Sequence, residues 1–188
     1  KSATNSDGEY TIEGMPTPLS KANAYPYTYV TRTQAQNLAS KVNSGSRTSS
    51  LMFGVQWDLV LAFMSKDTTK ITSADVLTKD SKAIGNYRDN LWTITNENAQ
   101  YLSSGKYVQC PNPYEKKSAS SILLTTGADS SFSVQNIYDI AGNVGEWTLE
   151  KYSDGSSPCA TRGGDYSIGG SFYPAAYRYG FTTASAGF

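Results

Sequence analysis

Residues Ile137 to Thr148 read I-Y-D-I-A-G-N-V-G-E-W-T, and the fold is decided by how this stretch is read. Ile137-Tyr138-Asp139-Ile140 alternates like the end of a strand. Ala141-Gly142-Asn143 is a turn in which Gly or Asn takes positive φ, and Val144 to Leu149 resumes a strand with Val144 and Trp147 as core candidates. Asp139, Asn143 and Glu146 place three oxygen-bearing side chains within eight residues of one another, the ligand type that suits calcium. Such residues also cap their own backbone, so both readings stand at this point.

Upstream, residues 1 to 24 carry closely spaced Gly and Pro and read as an irregular arm with room for a short strand near Tyr10 to Ile12. Thr33 with Gln36 makes a capping-box signature, and Ala35, Leu38, Ala39 and Val42 continue it as an amphipathic helix that Asn43 and Gly45 stop. Trp57, Val60, Leu61 and Met64 repeat that spacing in a second helix over Gln56 to Ser65, with Trp57 as a core anchor. Residues 66 to 121 are polar and weakly periodic, a long loop-rich insertion, and Ser121 to Thr126 is a short apolar run compatible with a buried strand.

Composition narrows the function. The 188 residues are enough for one domain with a core, and the 16 basic and 16 acidic residues cancel. No basic field exists to hold nucleic acid, and no apolar run is long enough to insert in a membrane. Histidine, the commonest catalytic base and metal ligand, is absent. Tyrosine occurs 14 times beside many Ser, Thr and Gly, a composition that serves binding surfaces and also serves the packing of strand-poor domains. Cys110 and Cys159 are the only cysteines, able to close a disulfide in an oxidising compartment or to remain thiols. The chain opens on Lys1 rather than Met and is expected to be part of a longer protein.

The elements Y-D-I-A-G-N-V-G-E-W-T, R-G-G-D-Y at Arg162 to Tyr166, A-Y-R-Y at Ala176 to Tyr179 and the terminal Gly187-Phe188 together resemble the formylglycine-generating enzyme (sulfatase-modifying factor) superfamily. That family usually shows Y-D-M-A-G-N-V-W-E-W-T, R-G-G-S-W and a closing R-x-G-F-R. Thr33 to Val42 looks like its first helix and Leu51 to Met64 like its second, so the resemblance covers about residues 25 to 188. It implies an α+β, C-type-lectin-like fold: a small twisted antiparallel sheet, two helices and much irregular loop, often with structural calcium. It includes copper oxidases, iron enzymes and non-catalytic ligand-binding proteins of phages and bacteria.

Departures from the family pattern choose among these. The copper enzymes carry two cysteines after the R-G-G element and the iron enzymes need histidines; here neither is present. Gly145 stands where the family has Trp, Asp165 replaces its Ser, and the chain ends at Phe188 before the family's final Arg, which suggests a truncated C-terminus. The resemblance therefore implies a non-catalytic module that requires no cofactor. It would recognise a host-surface protein or glycan from a virion or an extracellular bacterial surface, or contact neighbouring subunits there. The expected ligand-binding residues are Asp165, Tyr166, Ser167, Ser171, Phe172, Tyr173, Tyr177, Tyr179 and Thr182, with Thr183 beside them. At least one of Tyr177 and Tyr179 is expected to turn inward from a strand, and Arg162 and Arg178 are expected to serve as internal salt-bridge or carbonyl partners.

Overall fold

The computed structural model describes residues 17–42 and 45–187. The strand read near Tyr10 and most of the expected arm lie outside the described residues. In chain order the elements are β1 (Val30–Thr31), α1 (Arg32–Ala39), α2 (Gly54–Met64), α3 (Asp75–Thr78), β2 (Trp92–Ile94), β3 (Gln100–Ser103), β4 (Lys106–Gln109), β5 (Tyr114–Lys116), β6 (Ser133–Val134), β7 (Ile137–Tyr138), β8 (Glu146–Lys151), β9 (Cys159–Arg162), β10 (Arg178–Phe181) and β11 (Ala186–Gly187). The result is an α+β molecule in which, among the described residues, the largest sheet, β10-β9-β8, has three antiparallel strands and every other sheet has two.

The first helix starts two residues earlier than its sequence signature suggested. The chain contains two overlapping T-x-x-Q frames, and the one in use is Thr31 with Gln34: Gln34 N donates to Thr31 Oγ1 at 3.3 Å and Thr31 N donates to Gln34 Oε1 at 2.8 Å. Gln36, expected to close the box, instead accepts from Leu51 N at 3.0 Å and ties the following loop to the helix. The helix ends at Ala39, and Val42 is left outside it and exposed. In α2 the Gln56 side chain accepts from Phe53 N at 2.8 Å, and Trp57, Leu61 and Met64 are buried as their spacing predicts. Trp57 Nε1 donates to Ala175 O at 3.0 Å, which joins α2 to the segment before β10.

Three clusters form the core: Trp57, Leu61, Met64 and Tyr87 under α2; Trp92, Ile94, Leu124 and Phe132 beneath the insertion; and Val30, Leu38, Trp147 and Cys159 between α1 and the main sheet. The 66–121 insertion is more regular than it reads, because it holds α3, the β3–β4 hairpin and the β2–β5 pair. The run Ser121 to Thr126 is buried at Leu123, Leu124 and Thr125 but forms no strand. Its backbone bonds are divided between β3, through Leu102 N to Leu123 O and Thr125 N to Gln100 O, and the side chain of Asn143.

That side chain is the centre of the molecule. Asn143 Oδ1 accepts from Asn86 Nδ2 at 3.0 Å and from Leu124 N at 3.1 Å, and Asn143 Nδ2 donates to Leu124 O at 3.2 Å. Asn86 Nδ2 also donates to Ile122 O at 2.8 Å, and Trp92 Nε1 donates to Asn86 Oδ1 at 3.2 Å. The turn at 141–143 takes the positive φ its residues allow, with Gly142 at 70° and Asn143 at 63°. Only glycine fits at 142, since a Cβ there would stand 2.4 Å from Asn86 O.

Two outcomes follow for stability. Asn143→Ala strands both Leu124 backbone groups and one of the two Asn86 amide hydrogens in the interior, the other still donating to Ile122 O, at roughly 1–3 kcal/mol for each buried group left unsatisfied. It should therefore lower the unfolding free energy by about 3 kcal/mol or more, read from urea denaturation. Cys110 and Cys159 are both buried free thiols in different core clusters, so neither should react with an aromatic disulfide reagent until denaturant is added.

Candidate functional site

The C-terminal surface is held by an ion-pair frame on the three-stranded sheet. Arg162 on β9 donates from Nε to Glu150 Oε2 at 2.8 Å and from Nη1 to Ala176 O at 2.8 Å, and its Nη2 lies 3.4 Å from Asp58 on α2. Arg178 on β10 donates to Glu150 Oε1 at 2.7 Å, so one carboxylate joins two strands of the sheet. Burial alone would raise the Glu150 carboxyl, but the hydrogen bonds from Arg178 and Arg162 overcome it and hold the group below its usual range. Gly54 leaves space for this carboxylate at the start of α2: a Cβ there would lie 2.6 Å from the carboxyl carbon. Both arginines thus serve internal pairs, as the sequence suggested.

On that frame stands a ladder of aromatic rings. Phe181 packs edge-on against buried Trp147 at 5.4 Å, Tyr179 packs edge-on against Phe181 at 4.9 Å, and Tyr179 lies 5.3 Å from Tyr173. Tyr173 and Tyr177 stack at 4.5 Å with an interplanar angle of 12°. Neither Tyr177 nor Tyr179 turns into the core: they are 38% and 39% exposed. The expected inward turn does not occur: Tyr179 on β10 and Tyr177 just before it lie against one another and against Tyr173, outside the core clusters. Arg178 lies over the Tyr152 ring at 5.3 Å, and Gly180 accommodates that ring, since a Cβ would come within 2.2 Å of it.

Beside the ladder is a pocket of about 340 Å3 lined by Arg88, Asp89, Ser167, Ile168, Phe172 and Tyr173 among others. Phe172 is 75% exposed and forms an open aromatic wall. Asp89 Oδ1 accepts from Gly170 N at 3.0 Å, and Arg88 N donates to Ile168 O at 2.9 Å, so the 85–92 loop fixes the 168–170 turn. Behind them Lys116 is buried with Nζ donating to Tyr87 O at 2.6 Å; burial pulls its ammonium down to about 8, against the opposing charge of Asp89. Arg88 and Asp89 were missed in the sequence because they sit in a polar insertion far from the C-terminal motif. The only available signal was the R-D-N cluster in a turn.

The structure therefore unites Ser167, Phe172, Tyr173, Tyr177 and Tyr179 on one surface and leaves the other expected residues out of it. Asp165 Oδ1 accepts from Ser167 N at 2.7 Å and from its hydroxyl at 2.5 Å, capping a turn. Tyr166 is half-buried, its phenol raised by burial and then by the charges of Tyr29 and Asp165. Ser171 is exposed beside Phe172, and the exposed Thr182 hydroxyl shares a 2.8 Å hydrogen bond with Ser185. Thr183 is also exposed.

The trio read as calcium ligands does not assemble as one. Asn143 is committed to Asn86 and Leu124, and Asp139 Oδ2 accepts from Gly127 N at 2.7 Å. Glu146 keeps some exposed surface, yet its Oε2 is buried with no hydrogen-bond partner. Burial, then the charge of Asp139, pushes the Glu146 carboxyl well above its usual range, and burial raises Asp139 to about 6. Among the described residues no group of three or more His, Cys, Asp or Glu is placed to hold a metal ion. Asp139 and Glu146 line a separate, larger cavity of about 890 Å3 between α1, the start of α2 and the 136–147 segment. Comparison with family models, curated proteins and solved structures returns no match to this chain.

The raised Asp139 carboxyl makes stability depend on pH in a defined direction. A group whose folded pKa exceeds its unfolded value stabilises fully below the unfolded value and loses that contribution as pH rises through the folded one. For Asp139 the loss falls between about pH 4 and pH 6. Asn at this position keeps the acceptor for Gly127 N and tolerates the φ of 57°. Asp139→Asn should raise the urea midpoint at pH 8 relative to the parent chain and leave it unchanged near pH 4.

Proposed function

We propose that the chain is a non-catalytic, C-type-lectin-like binding module of the formylglycine-generating enzyme superfamily, carried on a phage particle or bacterial surface. It recognises a host-surface protein or glycan through the aromatic ladder and the adjoining pocket. The observation that carries this reading is the stack of half-buried Tyr173 with exposed Tyr177 and Tyr179, joined ring to ring to buried Trp147 and flanked by open Phe172. Exposed aromatic rings normally cost entropy when a ligand orders them; these are ordered by one another beforehand. A sugar face or an extended peptide would meet a prearranged apolar ridge with phenol hydroxyls along it. Arg88, Asp89 and Ser167 in the pocket would supply directional polar contacts. The reading needs no cofactor.

A second reading is favoured by one specific observation. The outer face of α2 exposes Val55 at 66%, Leu59 at 65% and Phe63 at 52%, and Phe53 beside them at 54%. An apolar helix of this kind is usually covered on both faces, which suits a decoration or fibre domain that contacts neighbouring subunits.

The test is binding of the wild-type chain to arrayed bacterial-surface oligosaccharides and to intact bacterial cells, repeated with Phe172→Ala and Tyr177→Ala. Both residues are exposed, so both variants should keep the parent melting temperature. Each should weaken binding by about tenfold, the ~1.4 kcal/mol of a moderate aromatic contact. Binding unaltered by both substitutions, or absent from every surface, would remove the ladder as the recognition site.

A further inference from the structure

The larger cavity contains a pair of carboxyl groups that the rest of the fold leaves uncompensated. Its walls are mainly apolar, with Leu38 from α1, Leu51 and Met52 from the following loop, Trp57 from α2, and Ile137 and Ile140 from the central turn, and polar residues such as Ser50 and Asn136 among them. Into these walls the same turn places Asp139 and Glu146. Asp139 uses one oxygen to accept from Gly127 N, while Glu146 Oε2 is buried with no hydrogen-bond partner among the described residues. Gly163 is part of the reason that oxygen fits where it does, because a Cβ there would come within 2.5 Å of it. No described ion pair reaches either carboxyl, including from Lys21 at the cavity rim.

An unpaired carboxylate in apolar surroundings is strongly disfavoured, and it is relieved either by taking up a proton or by receiving a cation. A metal ion fits poorly. Calcium takes 6–8 oxygen ligands, whereas among the described residues two carboxyl groups face the cavity, Asn143 is committed elsewhere and most of the wall is apolar. An organic cation meets both halves of the site, since its ammonium can donate to two carboxylates while its carbon skeleton removes apolar wall from water.

We propose that this cavity is a second binding site, independent of the aromatic ladder, for an amphiphilic amine: the ammonium placed against Asp139 and Glu146, the aliphatic or aromatic body against Leu38, Met52 and Trp57. The amine does the work of the missing counter-ion. Because burial raises both carboxyls, binding in the charged form releases protons, and affinity grows as pH rises from 5 to 7.

The experiment titrates the whole chain with hexylamine and phenethylamine, and with hexanol and phenethyl alcohol as uncharged isosteres. Tryptophan fluorescence is the readout, since Trp57 and Trp147 line the cavity, and melting temperature is followed in parallel. The amines should bind at pH 7 at least tenfold more tightly than the alcohols, raise the melting temperature, and weaken at pH 5. Asp139→Asn and Glu146→Gln should abolish the preference for amine over alcohol. The comparison of amine with alcohol on the wild-type chain stands even if a variant does not fold. Equal binding of amine and alcohol, no binding of either, or stabilisation by calcium in place of amine would each overturn the proposal.

Discussion

Two buried asparagine side chains, Asn86 and Asn143, hydrogen-bond each other and through that pair join three separated stretches of chain, at 86–92, 122–124 and 143. Each amide is both donor and acceptor, so one side chain can satisfy a carbonyl and an N–H that have no strand partner. The segment at 122–124 depends on this, because it is buried without belonging to a sheet. With so little regular sheet, the molecule meets the requirement that buried backbone groups be paired by using side chains where other folds use ladders. The same geometry dictates the turn: Gly142 allows Asn86 O to approach, Asn143 tolerates the left-handed backbone, and Asn143 N closes on Asn86 O at 2.8 Å.

From that clamp the order of the C-terminal surface follows. Gly142 N donates to Gly163 O at 2.8 Å, and the Tyr87 hydroxyl donates to the same oxygen at 2.6 Å, so the R-G-G element is seated directly on the clamp. Arg162 then reaches Glu150 and Ala176, Glu150 reaches Arg178, and β10 carries the aromatic ladder. The ladder is a surface feature with deep support. A substitution at Asn143 would act on it from the interior, through the position of Gly163, without touching any exposed ring.

Local signals were legible in the sequence, and long-range partnerships were not. The positive-φ turn at 141–143, the buried stripe of α2 and the ion-pairing of Arg162 and Arg178 follow from residue type and spacing. The start of α1 was misplaced because T-x-x-Q occurs in two overlapping frames, and the choice depends on Gln36 being drawn to Leu51. Ser121 to Thr126 reads as compatible with a buried strand because burial and strand pairing give the same apolar run; here it makes one bridge to β3 on one edge, and the Asn143 side chain takes the place of a strand on the other. The inward Tyr was expected from period-two alternation, which presumes a covered face; here Tyr177 and Tyr179 pack on each other and on Tyr173 outside the core clusters. For the candidate site, the aromatic members were visible as composition. Arg88 and Asp89 were not, since nothing local says that the 85–92 loop will meet the turn at 168–170.

The physical account of this protein is that a buried amide pair, rather than an extended sheet, holds the chain in one arrangement and thereby fixes the surface that carries its ring stack. Native-state amide hydrogen exchange followed residue by residue tests that most directly. The amides of Leu124, Gly142 and Asn143, which donate to Asn143 Oδ1, Gly163 O and Asn86 O, should exchange only through global unfolding, as slowly as the amides paired between β8 and β9. Exchange of these three at the rate of exposed loop amides, with the sheet still protected, would show that the clamp opens independently and would contradict the account.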